Sequence, residues 1–210
     1  MSGKERPSDK APWIDWGVVT MPMVGHPESG DHHLVKEVPE GSLLAVVDGL
    51  GHGEEAAEAA KQAIAALEAF AHESIIALLK RCNEQVRNTR GVVMSLALIN
   101  VREETLTWLG VGNVEGVLLR ADAGAKPSRE SILLRGGLLG YQLPPLHASV
   151  VTLSRGDTLI FATDGIHTGF AEGVNIKEPA QQIAEKICKR HHKGTDDALV
   201  LVARYLGVVT

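Results

Sequence analysis

Apolar residues recur along this chain with two different periods. DWGVVTMPMVG (15–25) and DHHLVKEV (31–38) read as strands separated by the loop GHPESG (25–30). After the turn PEG, SLLAVVDG (42–49) reads as a third strand, apolar enough to be buried on both faces. The period then changes. From Glu54 to about Ala71, the positions Ala56, Ala60, Ala63, Ile64, Leu67 and Phe70 return every three or four residues, which predicts an amphipathic helix. Glu54 and Glu55 fall in its first turn, where the helix dipole favours anions. A second helical pattern covers about Glu73 to Asn88, with Ile75, Leu78, Leu79, Cys82 and Val86 on one side.

RGVVMSLALINV (90–101) and ETLTWLGVGNVEGVLLR (104–120) read as long neighbouring strands. ADAGAKPSRE (121–130) is a loop, ESILLRG a short strand, and GGLLGYQLPPLHAS (136–149) an irregular connection. SVVTLSRGDTLIFATDG (149–165) reads as a hairpin whose turn is RGD; an adhesion role for that tripeptide is far less natural than turn chemistry. EPAQQIAEKICKRHH (178–192) is a last helix with Pro179 at an acceptable first-turn position, and TDDALVLVARYL (195–206) a closing strand. Strands and helices do not alternate strictly, so the order suits an α+β fold of antiparallel sheets with helices on their outer faces. The expected organisation is a flexible tail over residues 1–12 and a single domain over 13–210.

Composition narrows the function classes. With 21 basic against 26 acidic residues and no Lys/Arg block, binding to a nucleic-acid backbone is not expected. No apolar run approaches the roughly 20 residues of a membrane span, and the polar N-terminus lacks a signal region, so a cytoplasmic protein is expected, acting as a monomer. Cys82 and Cys188 are far apart with no CxxC pattern, and read as two buried or half-buried thiols rather than metal or redox groups.

The candidate chemistry lies in aspartates at strand ends. Asp48 ends the greasy run AVVDGLGHG, Asp164 ends TLIFATDG, and Asp196 and Asp197 open the last strand. Asp31 opens the second strand after a glycine. Any one Asp-Gly pair is as readily explained by turn chemistry. Several together could meet at one end of a sandwich, where they would repel and shift one another's pKa. Hard divalent cations with oxygen ligands relieve such repulsion, and glycine after Asp48 would let a carbonyl turn toward a metal.

The blocks VVDGLGHGEEAAEAA, FATDGI and TDDALVLVARY, in this order, resemble the three signature blocks of the PPM-type metal-dependent serine/threonine phosphatases, closest to the SpoIIE/RsbX branch acting in the stressosome pathway. The resemblance spans roughly residues 15 to 206. It implies an αββα sandwich holding two Mn²⁺ or Mg²⁺ ions at one end. Asp48 would bridge both ions, and the Gly49 carbonyl would hold one. Asp164 and Asp196 would bind the other, with Asp197 a weaker candidate, and Asp31 would contact a metal directly or through water. Two metals about 3.5–4 Å apart would generate a hydroxide that attacks phosphorus in line, without a phosphoenzyme. The implied substrates are phosphorylated STAS-domain proteins of a stressosome, whose dephosphorylation resets stress signalling. A silent phosphatase-like docking module and a hydrolase of small phosphate esters are the alternative readings.

The chain departs from the family pattern in two places. Asn113, in GVGN, stands where relatives often carry an acid, and no early arginine is placed to grip phosphate. GGLLG (136–140) is loosely like a segment of the branch, or is core packing. His52, in the glycine turn, either touches substrate and assists a leaving-group proton or is a polar turn residue. At most one of His32 and His33 could face the metals, because neighbours on a strand point to opposite faces. His191 and His192 read as a solvated helix end, and His167 has no assigned role.

Overall fold

Residues 13–207 are described by a computed structural model; the expected tail at 1–12 and residues 208–210 lie outside the described residues. Three strands come first: β1 (Ile14–Met21), β2 (Asp31–Val38) and β3 (Gly41–Gly49). β3 is buried at every position except Asp48, as its unbroken apolar run predicts. Two helices follow, α1 (Glu54–Ala69) and α2 (Ile75–Gln85). The alanines of α1 at 56, 60 and 63 are all fully buried, because side chains this short let the helix lie close on the sheet. The Ser74 hydroxyl caps α2 by accepting from the Ala77 amide at 3.4 Å.

The remaining elements are β4 (Val92–Asn100), β5 (Thr105–Val111), β6 (Glu115–Leu119), β7 (Arg129–Ser131), β8 (Leu134–Arg135), β9 (Ser149–Thr152), β10 (Thr158–Ala162), α3 (Ala180–His191) and β11 (Ala198–Tyr205). One sheet runs β1-β11-β10-β6-β7; the other runs β2-β3-β4-β5-β8, with β9 also on β5. Every pairing is antiparallel except the short β5–β8 contact. Leu44, Val46 and Ile99 of the second sheet share a core cluster with Leu159, Phe161 and Leu201 of the first. α1 and α2 cover the far face of the second sheet, and α3 covers Ile160, Val200 and Val202 on the far face of the first. The result is the expected αββα sandwich.

α3 settles on β1 at Gly17, where any Cβ would fall 2.3 Å from the Gln181 Cα. From there the Gln181 carboxamide reaches the outer edge of β1, accepting from the Val18 amide at 3.0 Å and donating to the Val18 carbonyl at 3.2 Å. The end of α3 differs from the expected solvated terminus. His191 and His192 are half-buried, because the His191 carbonyl accepts from the His167 amide at 2.8 Å and His192 bridges to Ile166.

Three strand assignments need correction. ESILLRG is not one strand: it is split between the end of β7 and β8, which belong to different sheets. Residues 104–120 are not one strand but β5 and β6, which belong to different sheets. The break is at Gly112, whose φ of 97° is a left-handed conformation, and whose Cβ would collide with Val93 at 2.2 Å. Residues 149–165 are likewise not a hairpin: β9 pairs with β5, and β10 with β6 and β11. The RGD segment does form a turn, with the Asp157 amide donating to the Ser154 carbonyl at 2.9 Å, but that turn crosses between sheets.

Asp157 is held inside this crossover. Its carboxylate accepts from Arg120 Nη1 at 2.7 Å, from the Ala121 amide at 2.8 Å and from the Ser154 amide at 3.0 Å, while Arg120 also pairs with Glu130. At 1% exposure the carboxylate has no water to replace these partners. Asp157→Ala should therefore lower the unfolding free energy by about 3 kcal/mol in urea titrations, and Asp157→Asn, which keeps one acceptor oxygen, by clearly less.

Candidate functional site

The strand-end aspartates meet. In the antiparallel register of β2 and β3, Asp31 lies opposite Asp48. Asp164 follows the end of β10, and Asp196 and Asp197 precede the start of β11. The start of β2 and the end of β3 thus share one end of the sandwich with the end of β10 and the start of β11. A single side chain ties the two sheets there: the Thr163 hydroxyl donates to Asp31 Oδ2 at 2.7 Å and accepts from the Leu199 amide at 2.8 Å. Ser29 Oγ accepts from the Asp31 amide at 3.1 Å and fixes the approach to β2.

Glycines let the segments close on one another. A Cβ at Gly49 would lie 2.1 Å from the Ala56 carbonyl oxygen, so the first turn of α1 packs directly on the residue after Asp48. A Cβ at Gly165 would lie 1.9 Å from the Asp197 carbonyl oxygen. The glycine after each of these aspartates is needed for close backbone packing, a reason more basic than the approach of a ligand.

Each carboxylate has its own surroundings. Asp31 is 3% exposed, and Asp48 and Asp164 are half-buried. Asp197 is buried, and both its oxygens are taken by the loop between β1 and β2: Oδ1 accepts from the Met23 amide at 2.7 Å and Oδ2 from the Gly30 amide at 2.9 Å. Asp196 Oδ1 accepts from the Asp197 amide at 2.9 Å. Asp164 Oδ2 accepts from Asn113 Nδ2 at 2.8 Å, and Lys193 donates to the Asp164 backbone carbonyl.

The electrostatics follow from this crowding. Burial pushes the Asp31 carboxyl up to about 8; the Thr163 hydrogen bond opposes the rise, while the charges of Asp197, Asp164 and Asp196 add to it. Burial raises Asp48 well above the usual carboxylate range, helped by Asp31 and then by Asp164, Asp196 and Asp197. Asp164 rises through burial and Asp196, with the Lys193 charge pulling it back. None of the ion pairs found among the described residues includes these five aspartates. Carboxylates and backbone carbonyls are the donor types that hard divalent cations take. Among the described residues, no three His, Cys, Asp or Glu side chains are drawn tightly enough together to enclose an ion by themselves.

The histidines differ in how close they come to this cluster, and His32 feels the Asp197 charge. His52 is exposed, with its ring centroid 4.5 Å from that of His26. The His33 ring is tilted 52° to that of Trp16, centroids 6.1 Å apart. His32 is half-buried, and burial followed by the Lys61 charge lowers its pKa. Sequence reading missed Thr163, Asn113 as a partner of Asp164, and Lys193. The first carried a signal, since it directly precedes Asp164 at the end of an apolar strand; the others depend on loops meeting in space.

With the geometry established, known proteins can be compared. The family model Stage II sporulation protein E (SpoIIE) matches residues 39–206. The chain is similar to the phosphoserine phosphatase RsbX of Bacillus subtilis (strain 168), with 31% identity over 140 residues, 66% of this chain and 67% of that protein. It superimposes with a TM-score of 0.84 and 32% identity on a structure described as "The bacterial stressosome: a modular system that has been adapted to control secondary messenger signaling", covering 91% of this chain and 99% of that one. A crystal structure of RsbX in complex with magnesium gives a TM-score of 0.81 at 25% identity, covering 94% of this chain and 98% of that one.

The raised carboxyls make stability depend on pH in a definite direction. Between the ordinary value of 3.8 and about 8, folded Asp31 holds a proton that the unfolded chain releases. The stabilising contribution of that proton is complete below about 4 and fades as pH rises through about 8. In chelator, Asp31→Asn should raise the thermal midpoint at pH 8 and flatten the loss of stability between pH 5 and pH 8, as followed by circular dichroism.

Proposed function

The chain belongs to the SpoIIE family, and on that footing we propose that this PPM-type phosphatase removes phosphate from phosphoserine or phosphothreonine in the STAS-domain proteins of a stressosome, resetting stress signalling. The observation that carries the reading is the facing of Asp31 and Asp48 across β2 and β3, with Asp164 and Asp196 brought up by the other sheet. Four acids, one buried and three half-buried, in no ion pair found among the described residues, suit an anionic substrate only if divalent cations intervene.

By its chemistry the donor set suits such cations, and the reading takes them to be two, Mn²⁺ or Mg²⁺. Asp48 would bridge them, the Gly49 carbonyl and Asp31 would serve one, directly or through water, and Asp164 and Asp196 the other. Asp197 is less available, because both its oxygens already accept from backbone amides. When bound, the ions supply neutralisation of phosphoryl oxygens and acidification of bound water. The chain's own residues set the stage: Thr163 holds Asp31 toward the cleft between the sheets, and Asn113 orients Asp164. His52, exposed in the glycine turn beyond Gly49, is open to substrate rather than to the carboxylates.

The similarity to a phosphoserine phosphatase and to a structure from stressosome work supports both the reaction and its setting. A phosphatase acting on such substrates would work in the cytoplasm. Among the described residues no helix is long and apolar enough to cross a membrane.

The test is phosphate release from a phosphorylated STAS-domain protein with Mn²⁺, with Mg²⁺ and with chelator. Turnover should require metal and should fall at least about a hundredfold in Asp48→Asn. Full turnover by Asp48→Asn, or equal turnover in chelator, would sink the reading; faster turnover of small phosphate esters than of the phosphoprotein would reassign the substrate.

A further inference from the structure

A groove of about 740 Å³ lies beside the aspartate cluster, between the start of α1 and the turn that joins α2 to β4. It adjoins the loop leaving Asp48. The Leu50 amide donates to the Gly91 carbonyl at 3.0 Å, and a Cβ at Gly51 would touch Arg90 at 2.9 Å. The groove therefore begins where the site ends, and its volume accommodates several residues of an extended segment.

Its charge is unbalanced. The two cations in its walls are already engaged, Lys61 with Glu28 and Arg90 with Glu55. Glu54 and Glu58 are both exposed, in no ion pair found among the described residues, and stand one turn apart on α1, where like charges repel. Opposite them Tyr141 is 69% exposed, its ring against Gly91 and its hydroxyl 3.4 Å from the Thr89 carbonyl. Leu50, in the loop leaving Asp48, is 51% exposed. Glu58 accepts from Gln62 Nε2 at 3.0 Å, a neutral partner that leaves its charge uncompensated, and an aromatic face opposite such carboxylates suits the aliphatic stem and cationic head of a Lys or Arg. Tyrosine is also a residue type enriched where binding energy concentrates.

We infer that this groove docks a basic stretch flanking the phosphorylated residue of the protein substrate, with its Lys or Arg side chains between Tyr141 and the Glu54–Glu58 face. The inference rests on the phosphatase reading above. Docking supplies selectivity through a surface separate from the aspartate cluster, so it alters kcat/KM for proteins and leaves small esters alone.

The test uses the full chain with Mn²⁺ and two phosphoserine peptides, identical except for Lys/Arg or Glu in the flanks, with p-nitrophenyl phosphate as the small ester. Wild type should favour the basic peptide by about tenfold in kcat/KM, less at high salt. Glu54→Lys/Glu58→Lys should abolish or reverse that preference. Tyr141→Ala, which leaves α1 untouched, should lower kcat/KM for the basic peptide several-fold. Ester turnover should stay within about twofold in both variants. Equal turnover of the two peptides by wild type, with normal ester turnover, would overturn the docking inference while sparing the phosphatase reading. No turnover of any of the three substrates would overturn both. A dimer in sedimentation that Glu54→Lys/Glu58→Lys dissolves would assign the groove to a second copy, and the inference would fail.

Discussion

Asp31 and Asp48 face each other across adjacent strands at the mouth of an apolar sandwich, and the cost of burying carboxyls there governs the architecture around them. Two carboxylates so placed, with Asp164 and Asp196 adding to the field, favour separation of the sheets at this end. The hydrocarbon core opposes it, through Leu44, Val46, Phe161 and Leu201 sealed between the sheets. Thr163 is the local clamp, since its hydroxyl is bonded to Asp31 on one sheet and to the Leu199 amide on the other. The sandwich thus holds its acids together at one end, and burial keeps the Asp31 carboxyl protonated well above the ordinary carboxylate range unless a cation takes the proton's place.

Asp197 shows how neighbouring acids divide their work. Asp196 keeps a carboxylate whose one backbone bond is to the next residue, whereas Asp197 turns inward and binds the loop before β2 by two amides. That loop carries Ser29 and Gly30 to Asp31. A change at Asp197 would thus act on Asp31 through the backbone, even if Asp197 never touched a ligand.

Much of this was legible in the residues because it rests on local pattern. The unbroken apolar run of β3, the alanine period of α1 and the aspartates at strand ends each follow from short-range chemistry, and their meeting follows from strand direction. What escaped was the choice of sheet. Residues 104–120 read as one long strand, yet Gly112 sends the chain across to the other sheet. The residues around RGD alternate as a hairpin would, yet β9 and β10 part, and the burial of Asp157 against Arg120 stabilises that parting. Period reports that a strand exists and which face it buries; the identity of its neighbour depends on contacts distant in sequence. Asn113 and Lys193 escaped for the same reason, since each acts on Asp164 from a different loop.

The carboxamide of Gln181 occupies the outer edge of β1, satisfying both the amide and the carbonyl of Val18. An exposed edge strand is an invitation to any other extended chain, whether a misfolded neighbour or a second copy adding itself to the sheet. Here one side chain stands in for the missing strand at its midpoint, so continuous ladder formation along β1 would first require the helix to let go. The sandwich is thereby guarded against growing into a larger sheet on that side, and aggregation resistance is written into a residue far in sequence from the strand it protects.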